Sequence, residues 1–262
     1  MTRDMNRYKA IAALLCAAAL TACDYEKNAI QELTAVPPVA GVKFFNFGLN
    51  APGVNFYAND TKMTAVLSAT GTEAVTGVTF SSVSAGGFYS AITPGSYTLS
   101  GRIAAATDKD LAVSTVTATI LDGKYYSFYM SGFYDAATKK VEGFIVEDPF
   151  PAALDYTVAY VRFVNAISNS TPMTMFAKNT TSAVEVPIGG AVAYKAGSAF
   201  VAVPNGTYDL NTRVTGSATN VITRAGVSLL AGRVYTIGAR GDITIVSTTA
   251  TNRPFLDNTL NR

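Results

Sequence analysis

Few side chains in this sequence can do covalent chemistry. Histidine is absent, and the only cysteines are Cys16 and Cys23. A Ser-His-Asp triad, a Cys-His pair and a His-ligated zinc site are therefore excluded. No glycine-rich phosphate loop stands between a strand and a helix. Carboxylates remain, in Glu147-Asp148 and in Asp108-Lys109-Asp110. Two carboxyl groups converging on one sugar can cleave a glycosidic bond. Neighbours on a strand point to opposite faces, however, so Glu147 and Asp148 are expected to diverge. Asp108 and Asp110 offer hard oxygen ligands suited to calcium, but their spacing makes no complete calcium loop. The expectation is a chain with no catalytic residue, no metal and no cofactor.

Tyrosine is the next candidate. The stretch GKYYSFYMSGFY, residues 123–134, places aromatics on both faces of one expected strand. If Tyr126 and Phe128 point into a core, Tyr125 and Tyr129 point out. Tyrosine is stiff and amphipathic, so an exposed pair suits contact with a glycan, the cell wall or a protein. Tyr125 and Tyr129 are therefore the candidate ligand-binding residues. The bland alternative is packing under a loop or against the other half of the chain.

Cys23 carries a different chemistry. Residues 10–22, AIAALLCAAALTA, are uncharged and follow Arg3, Arg7 and Lys9. A basic start, a short apolar run and small residues at the end read as a signal peptide over 1–22. As a helix the run spans about 20 Å, short of a hydrocarbon core of about 30 Å. It ends in Leu20-Thr21-Ala22-Cys23, which resembles the bacterial lipobox. That resemblance implies lipidation at Cys23 and cleavage before it. Cys16 would leave with the signal, so no intramolecular disulfide is available. Residues 23–40 then read as the lipidated cysteine and a tether, closed by Pro37-Pro38.

The whole chain is formally +2. Residues 1–22 carry Arg3, Arg7 and Lys9 against Asp4, so the remainder is neutral. Neutrality argues against nucleic acid as a partner, because that binding needs clustered positive charge. The expected partners are a membrane, through the lipid, and a glycan, cell-wall or protein ligand.

Positioning these groups falls to strands. Tyr97, Leu99 and Ile103 alternate with Thr98, Ser100 and Arg102, and Tyr208, Leu210 and Val214 alternate with Asp209, Asn211 and Arg213. Apolar-in, polar-out at period two is a half-buried strand. Turn chemistry precedes each run, as Pro94-Gly95 and as Asn205-Gly206. The pattern also repeats. Val42-Lys43-Phe44-Phe45-Asn46 answers Val161-Arg162-Phe163-Val164-Asn165, and Phe56-Tyr57-Ala58 answers Met175-Phe176-Ala177. Pro94 to Leu99 answers Pro204 to Leu210, and Leu121 to Tyr126 answers Leu230 to Tyr235. Four blocks in one order predict a tandem duplication, with copies at 41–151 and 155–262. Many short strands with turn signals predict an all-β chain of two sandwiches.

The series R-F-x-N-A, P-x-G-x-Y-x-L and L-x-A-G-x-x-Y-T resembles a family of bacterial extracytoplasmic domains, often found in lipoproteins and catalogued as a domain of unknown function. The second copy carries it as Arg162-Phe163-Val164-Asn165-Ala166, Pro204 to Leu210 and Leu230 to Thr236. The first copy departs at Lys43, at Phe45-Asn46-Phe47 and at Asp122. The resemblance implies two immunoglobulin-like β-sandwiches in the cell envelope and transfers no catalytic residue. The expected function is a lipid-anchored, non-catalytic binding or structural module. The alternative is an accessory of a polysaccharide-handling system with weak carboxylate hydrolysis. Asp24 after the cysteine resembles the inner-membrane retention signal of enteric bacteria, and the acidic Asp24-Tyr25-Glu26 resembles the surface-export signal of Bacteroidetes lipoproteins; the outer membrane or cell surface is expected ahead of the inner membrane.

Overall fold

The computed structural model describes residues 39–262. The expected signal peptide, Cys23 and all but the end of the expected tether lie outside the described residues. What is described is all-β: eighteen strands in four sheets, with no α-helix among the described residues. The sheets form two β-sandwiches.

In the first sandwich, β1 (Ala40–Leu49), β4 (Ser82–Val83), β5 (Ser90–Ile92), β8 (Tyr125–Asp135) and β9 (Lys140–Glu147) make one sheet, with β1 and β8 parallel. The opposing sheet has the order β3 (Thr61–Lys62), β2 (Val54–Ala58), β6 (Gly95–Ile103), β7 (Ala112–Ile120). In the second sandwich, β10 (Val158–Asn165) and β17 (Val234–Arg240) are the parallel pair. They are flanked by β13 (Ala196–Gly197), β14 (Val201–Pro204) and β18 (Phe255–Leu260). Opposite lie β12 (Glu185–Val192), β11 (Met173–Asn179), β15 (Gly206–Val214) and β16 (Ile222–Leu229), in that order. Strand for strand, the second arrangement repeats the first.

Each sandwich has its own core. Val42, Phe44, Phe56, Leu99, Tyr126, Phe128 and Met130 fill the first. Val161, Phe163, Met175, Tyr208, Leu210, Tyr235 and Ile237 fill the second. A third apolar cluster joins them, built from Phe45, Phe47, Tyr129 and Phe144 of one and Val164 and Ala166 of the other. The sheet of β1 and β8 therefore has one face in its own core and the other against the second sandwich. All ten residues of β1 are buried. A strand covered on both faces has no reason to alternate polar with apolar, which explains GVKFFNF and YYSFYM.

The repeated blocks have repeated mechanical roles. Asn46 donates to the Val78 carbonyl at 2.8 Å and accepts from the Gly48 amide at 3.2 Å. Asn165 donates to the Val192 carbonyl at 3.2 Å and accepts from the Ile167 amide at 3.1 Å. Each pins the loop leaving its strand. The Tyr97 hydroxyl donates to the Thr93 carbonyl at 2.9 Å, and that of Tyr208 to the Pro204 carbonyl at 2.7 Å. These are tyrosine corners, a device of sandwich folds. At the last block, the hydroxyls of Tyr126 and Tyr235 accept from the Leu121 and Leu230 amides at 3.3 and 3.2 Å. Gly123 and Gly232 make the turns between, at φ of 66° and 73°.

Candidate functional site

The candidate carboxylates do not gather around one substrate position. Glu147 points outward and pairs with Lys124 at 2.8 Å, whereas Asp148 is buried in an ion pair with Arg162. They diverge, as adjacent strand residues should. Asp108 is held by Lys139 at 2.7 Å, and Asp110 accepts from the Tyr57 hydroxyl at 2.9 Å. The two aspartates thus turn to different partners. Among the described residues, no three acidic, cysteine or histidine side chains cluster as metal ligands.

The two candidate tyrosines part company. Tyr129 is fully buried, stacked between Phe45 at 4.4 Å and Phe144 at 5.1 Å between ring centres. It points out of its own core, as its register requires, but into the second sandwich rather than into solvent. It cannot touch a ligand while the sandwiches are together. This corrects the expectation of an exposed tyrosine pair. The reason is tertiary: the outward face of β8 is an internal surface. Burial also pushes the Tyr129 phenol well above its ordinary pKa.

Tyr125 sits at the rim of that interface, partly exposed. It lines an open cleft of about 370 Å³ with Asp122, Lys124, Glu147, Pro149, Phe150 and Arg262 among its walls. Its ring meets Tyr89 edge-on at 5.1 Å and Phe150 at 5.2 Å. The Arg262 guanidinium lies over Tyr125 at 4.8 Å and over Phe150 at 4.3 Å. A rigid aromatic wall beside charged groups of both signs is suited to amphipathic contacts such as those of sugars or peptides.

Behind the cleft lies a buried polar cluster that the sequence reading passed over. Arg162 and Lys43, the basic residues of the two V-[RK]-F blocks, are almost wholly buried, and so is Asp148, the ion-pair partner of Arg162. Arg162 bonds Asp148 through one nitrogen, the Glu147 carbonyl at 2.8 Å through another, and the Thr236 hydroxyl at 2.9 Å through Nε. Asp148 also accepts from the Tyr89 hydroxyl and from the Ser127 hydroxyl at 2.8 Å. Lys43 donates to the Leu260 carbonyl at 3.1 Å and to Asn261 Oδ1 at 2.8 Å. A buried charge is tolerated only when paired and hydrogen-bonded; the Arg162–Asp148 pair meets that requirement, while Lys43 is hydrogen-bonded to two neutral oxygens. Burial lowers the Lys43 pKa to about 8; Asp148 opposes that shift and Arg162 adds to it. Burial, then the Asp148 charge, raises the Tyr89 phenol far above its ordinary value. The available signal was a basic residue inside an otherwise apolar strand, at the same place in both blocks.

Residues 159–261 match a family described as a domain of unknown function, DUF4397. The matched segment is the second sandwich. Its motif residues Arg162, Asn165, Tyr208, Gly232 and Tyr235 are those given interface, loop-pinning, corner and turn roles above. No curated protein matches the chain. Among solved structures, the Bacillus anthracis TIE protein is similar at 13% identity, over 77% of this chain and 33% of that one, with a TM-score of 0.23. The chain spans about a third of that protein's length.

Proposed function

We propose that this protein is a non-catalytic module of the bacterial cell envelope, anchored by lipid on Cys23, that serves in binding or in structure. The observation that carries the reading is the use made of its acidic groups. Asp148, the one fully buried carboxylate beside the rim cleft, neutralises Arg162, and Glu147 is held by Lys124. That arrangement favours a scaffold over an acid–base pair. The L-T-A-C sequence and the charge-free run before it support the anchor, and the acidic Asp24-Tyr25-Glu26 supports the outer membrane or cell surface. The duplicated sequence blocks and repeated strand order support descent of the two sandwiches from one domain.

Within this reading the Tyr125 cleft is the contact surface for a glycan, cell-wall or protein ligand. The test pairs the wild-type protein with Tyr125→Ala in cell-wall pull-downs and on a glycan array. Binding lost in the variant, with an unchanged melting temperature, supports recognition at the cleft. Binding equal in both places the ligand elsewhere. No binding by either leaves the structural role. Sugar release from wall polysaccharide, abolished by Glu147→Gln, would instead establish the hydrolytic accessory role. Anchoring is read separately: Cys23→Ser should move the protein from the membrane fraction to the soluble fraction.

A further inference from the structure

The contacts between the sandwiches occur in matched pairs. Arg162 of the second reaches the Glu147 carbonyl and the Asp148 side chain at the end of β9. Lys43 of the first reaches the Leu260 carbonyl and the Asn261 side chain at the end of β18. Lys43 and Arg162 are corresponding residues, and so are the two acceptor pairs: Tyr126 faces Glu147 in register, as Tyr235 faces Leu260. Each cation also lies over the corresponding aromatic of its own sandwich, Lys43 over Tyr89 at 4.4 Å and Arg162 over Phe200 at 5.1 Å. Further along, the Tyr194 hydroxyl meets Ser131 at 2.9 Å, and the Phe80 ring meets Arg240 at 5.2 Å. When contact i–j is mirrored by j–i, the interface is of the two-fold, self-complementary kind found in dimers.

The side chains at corresponding positions are not alike. In the register of β1 with β8, Phe45 faces Tyr129; in that of β10 with β17, Val164 faces Gly238. Phe47 likewise corresponds to Ala166. Large residues of the first sandwich thus lie on small residues of the second. A Cβ at Gly238 would stand 3.1 Å from a ring carbon of Phe47 and 3.9 Å from one of Tyr129. The charges differ too: Asp148 corresponds to the neutral Asn261.

Like-with-like pairing fails for definite physical reasons. Two first sandwiches would bring two sets of Phe45, Phe47 and Tyr129 together, which overpacks. Two second sandwiches would face small residue with small residue and leave voids. They would also place Arg162 opposite Asn261 twice, burying two guanidinium groups with no carboxylate. Specificity of this kind rests on penalising the wrong partner as well as fitting the right one.

We propose that the outward face of β1 and β8 is a binding surface whose partner is the outward face of β10 and β17, and that this match, not the linker, holds the sandwiches together. The pairing is noncovalent and exclusive. A single chain therefore behaves as a fused, asymmetric dimer, with the Tyr125 cleft at one end of its seam.

The test uses the whole protein with a protease site inserted at the exposed Ala152-Ala153. After cleavage of the folded chain, native mass spectrometry and gel filtration at micromolar concentration should show one particle holding both halves. Separated halves, or dimers of one half with itself, overturn the proposal. Gly238→Phe in the cleaved protein should weaken association about tenfold or more, by overpacking against Phe47 and Tyr129. Adding Tyr129→Gly to Gly238→Phe should recover most of that loss, which a general folding defect would not allow. Association unchanged by Gly238→Phe, or not recovered in the double variant, overturns the size match. Hydrogen exchange at β6 and β15, in the two outer sheets, reports whether each sandwich stays folded in every variant. Loss of that protection in Gly238→Phe with recovery in the double variant still supports the match.

Discussion

Arg162 and Asp148 form an ion pair that joins the two sandwiches, with side chains 1% and 0% exposed. Neither charge reaches water, so each depends on the other and on Tyr89, Ser127, Thr236 and the Glu147 carbonyl. The pair is costly to break from one side, since the remaining charge stays buried.

Arg162→Met should accordingly destabilise the protein by about 3–5 kcal/mol in urea unfolding. Adding Asp148→Asn removes the stranded charge and should return part of that loss. Equal stability of the single and double variants would show that the charge of Asp148 does not matter once Arg162 is gone.

Stability should depend on pH through Lys43. Its pKa is about 8 when folded against 10.5 ordinarily. Below pH 8 both states carry the proton and the burial penalty stands in full. Between 8 and 10.5 the unfolded chain keeps the proton and the folded one has lost it, so stability rises with pH. The buried phenols of Tyr89 and Tyr129 oppose this above about pH 10, where unfolded tyrosine ionises. From pH 7 to 9.5 the wild type should gain about 2 kcal/mol relative to Lys43→Met. A constant difference between the two proteins across that range would refute it.

Two tyrosines should respond in opposite ways to loss of the hydroxyl. Tyr208 is buried, and its hydroxyl donates to the Pro204 carbonyl at 2.7 Å, so Tyr208→Phe should cost about 1 kcal/mol. The Tyr129 hydroxyl is buried with no hydrogen-bond partner among the described residues. Tyr129→Phe should be neutral or stabilising by up to about 1 kcal/mol, because it removes an unsatisfied group and keeps the ring. Thermal melts of the two variants side by side suffice.

The two turn glycines test the last sequence block. Gly123 and Gly232 both have positive φ, a conformation in which alanine is strained. A Cβ at Gly123 would meet nothing within 4 Å among the described residues, while one at Gly232 would stand 3.1 Å from the Tyr156 ring. Alanine should therefore cost about 1 kcal/mol at either turn, and more at Gly232. Equal losses would mean the Tyr156 ring moves aside freely.

Much of this architecture was legible in the chain. Period-two runs ending in Ile103 and Val214 announced strands, because a strand with one wet face must alternate. Pro94-Gly95 and Asn205-Gly206 announced turns, because only certain residues take turn dihedrals without strain. The blocks of Tyr97 and Tyr208 repeated because each hydroxyl bonds a carbonyl four residues back, and those of Asn46 and Asn165 because each ties its strand to a loop of its own sandwich. Local jobs leave local patterns.

The site was less legible, and Tyr129 shows why. Strand periodicity correctly sent Tyr129 out of its own core, and then could say nothing of what it meets there. Whether that face sees water or another sheet depends on distant residues such as Val164 and Gly238, on β10 and β17. Lys43 and Arg162 carried the same ambiguity: a cation in an apolar strand is a snorkelling surface residue or half of a buried pair, depending on whether Asp148 and Asn261 arrive opposite. The sequence by itself determined the strands, the turns and the two cores, since hydrophobic alternation and turn dihedrals act along the chain. Only the tertiary structure decided which outward face became an interface and which aromatic stayed at the solvent edge, because burial between two sandwiches is a property of their docking and of neither one alone.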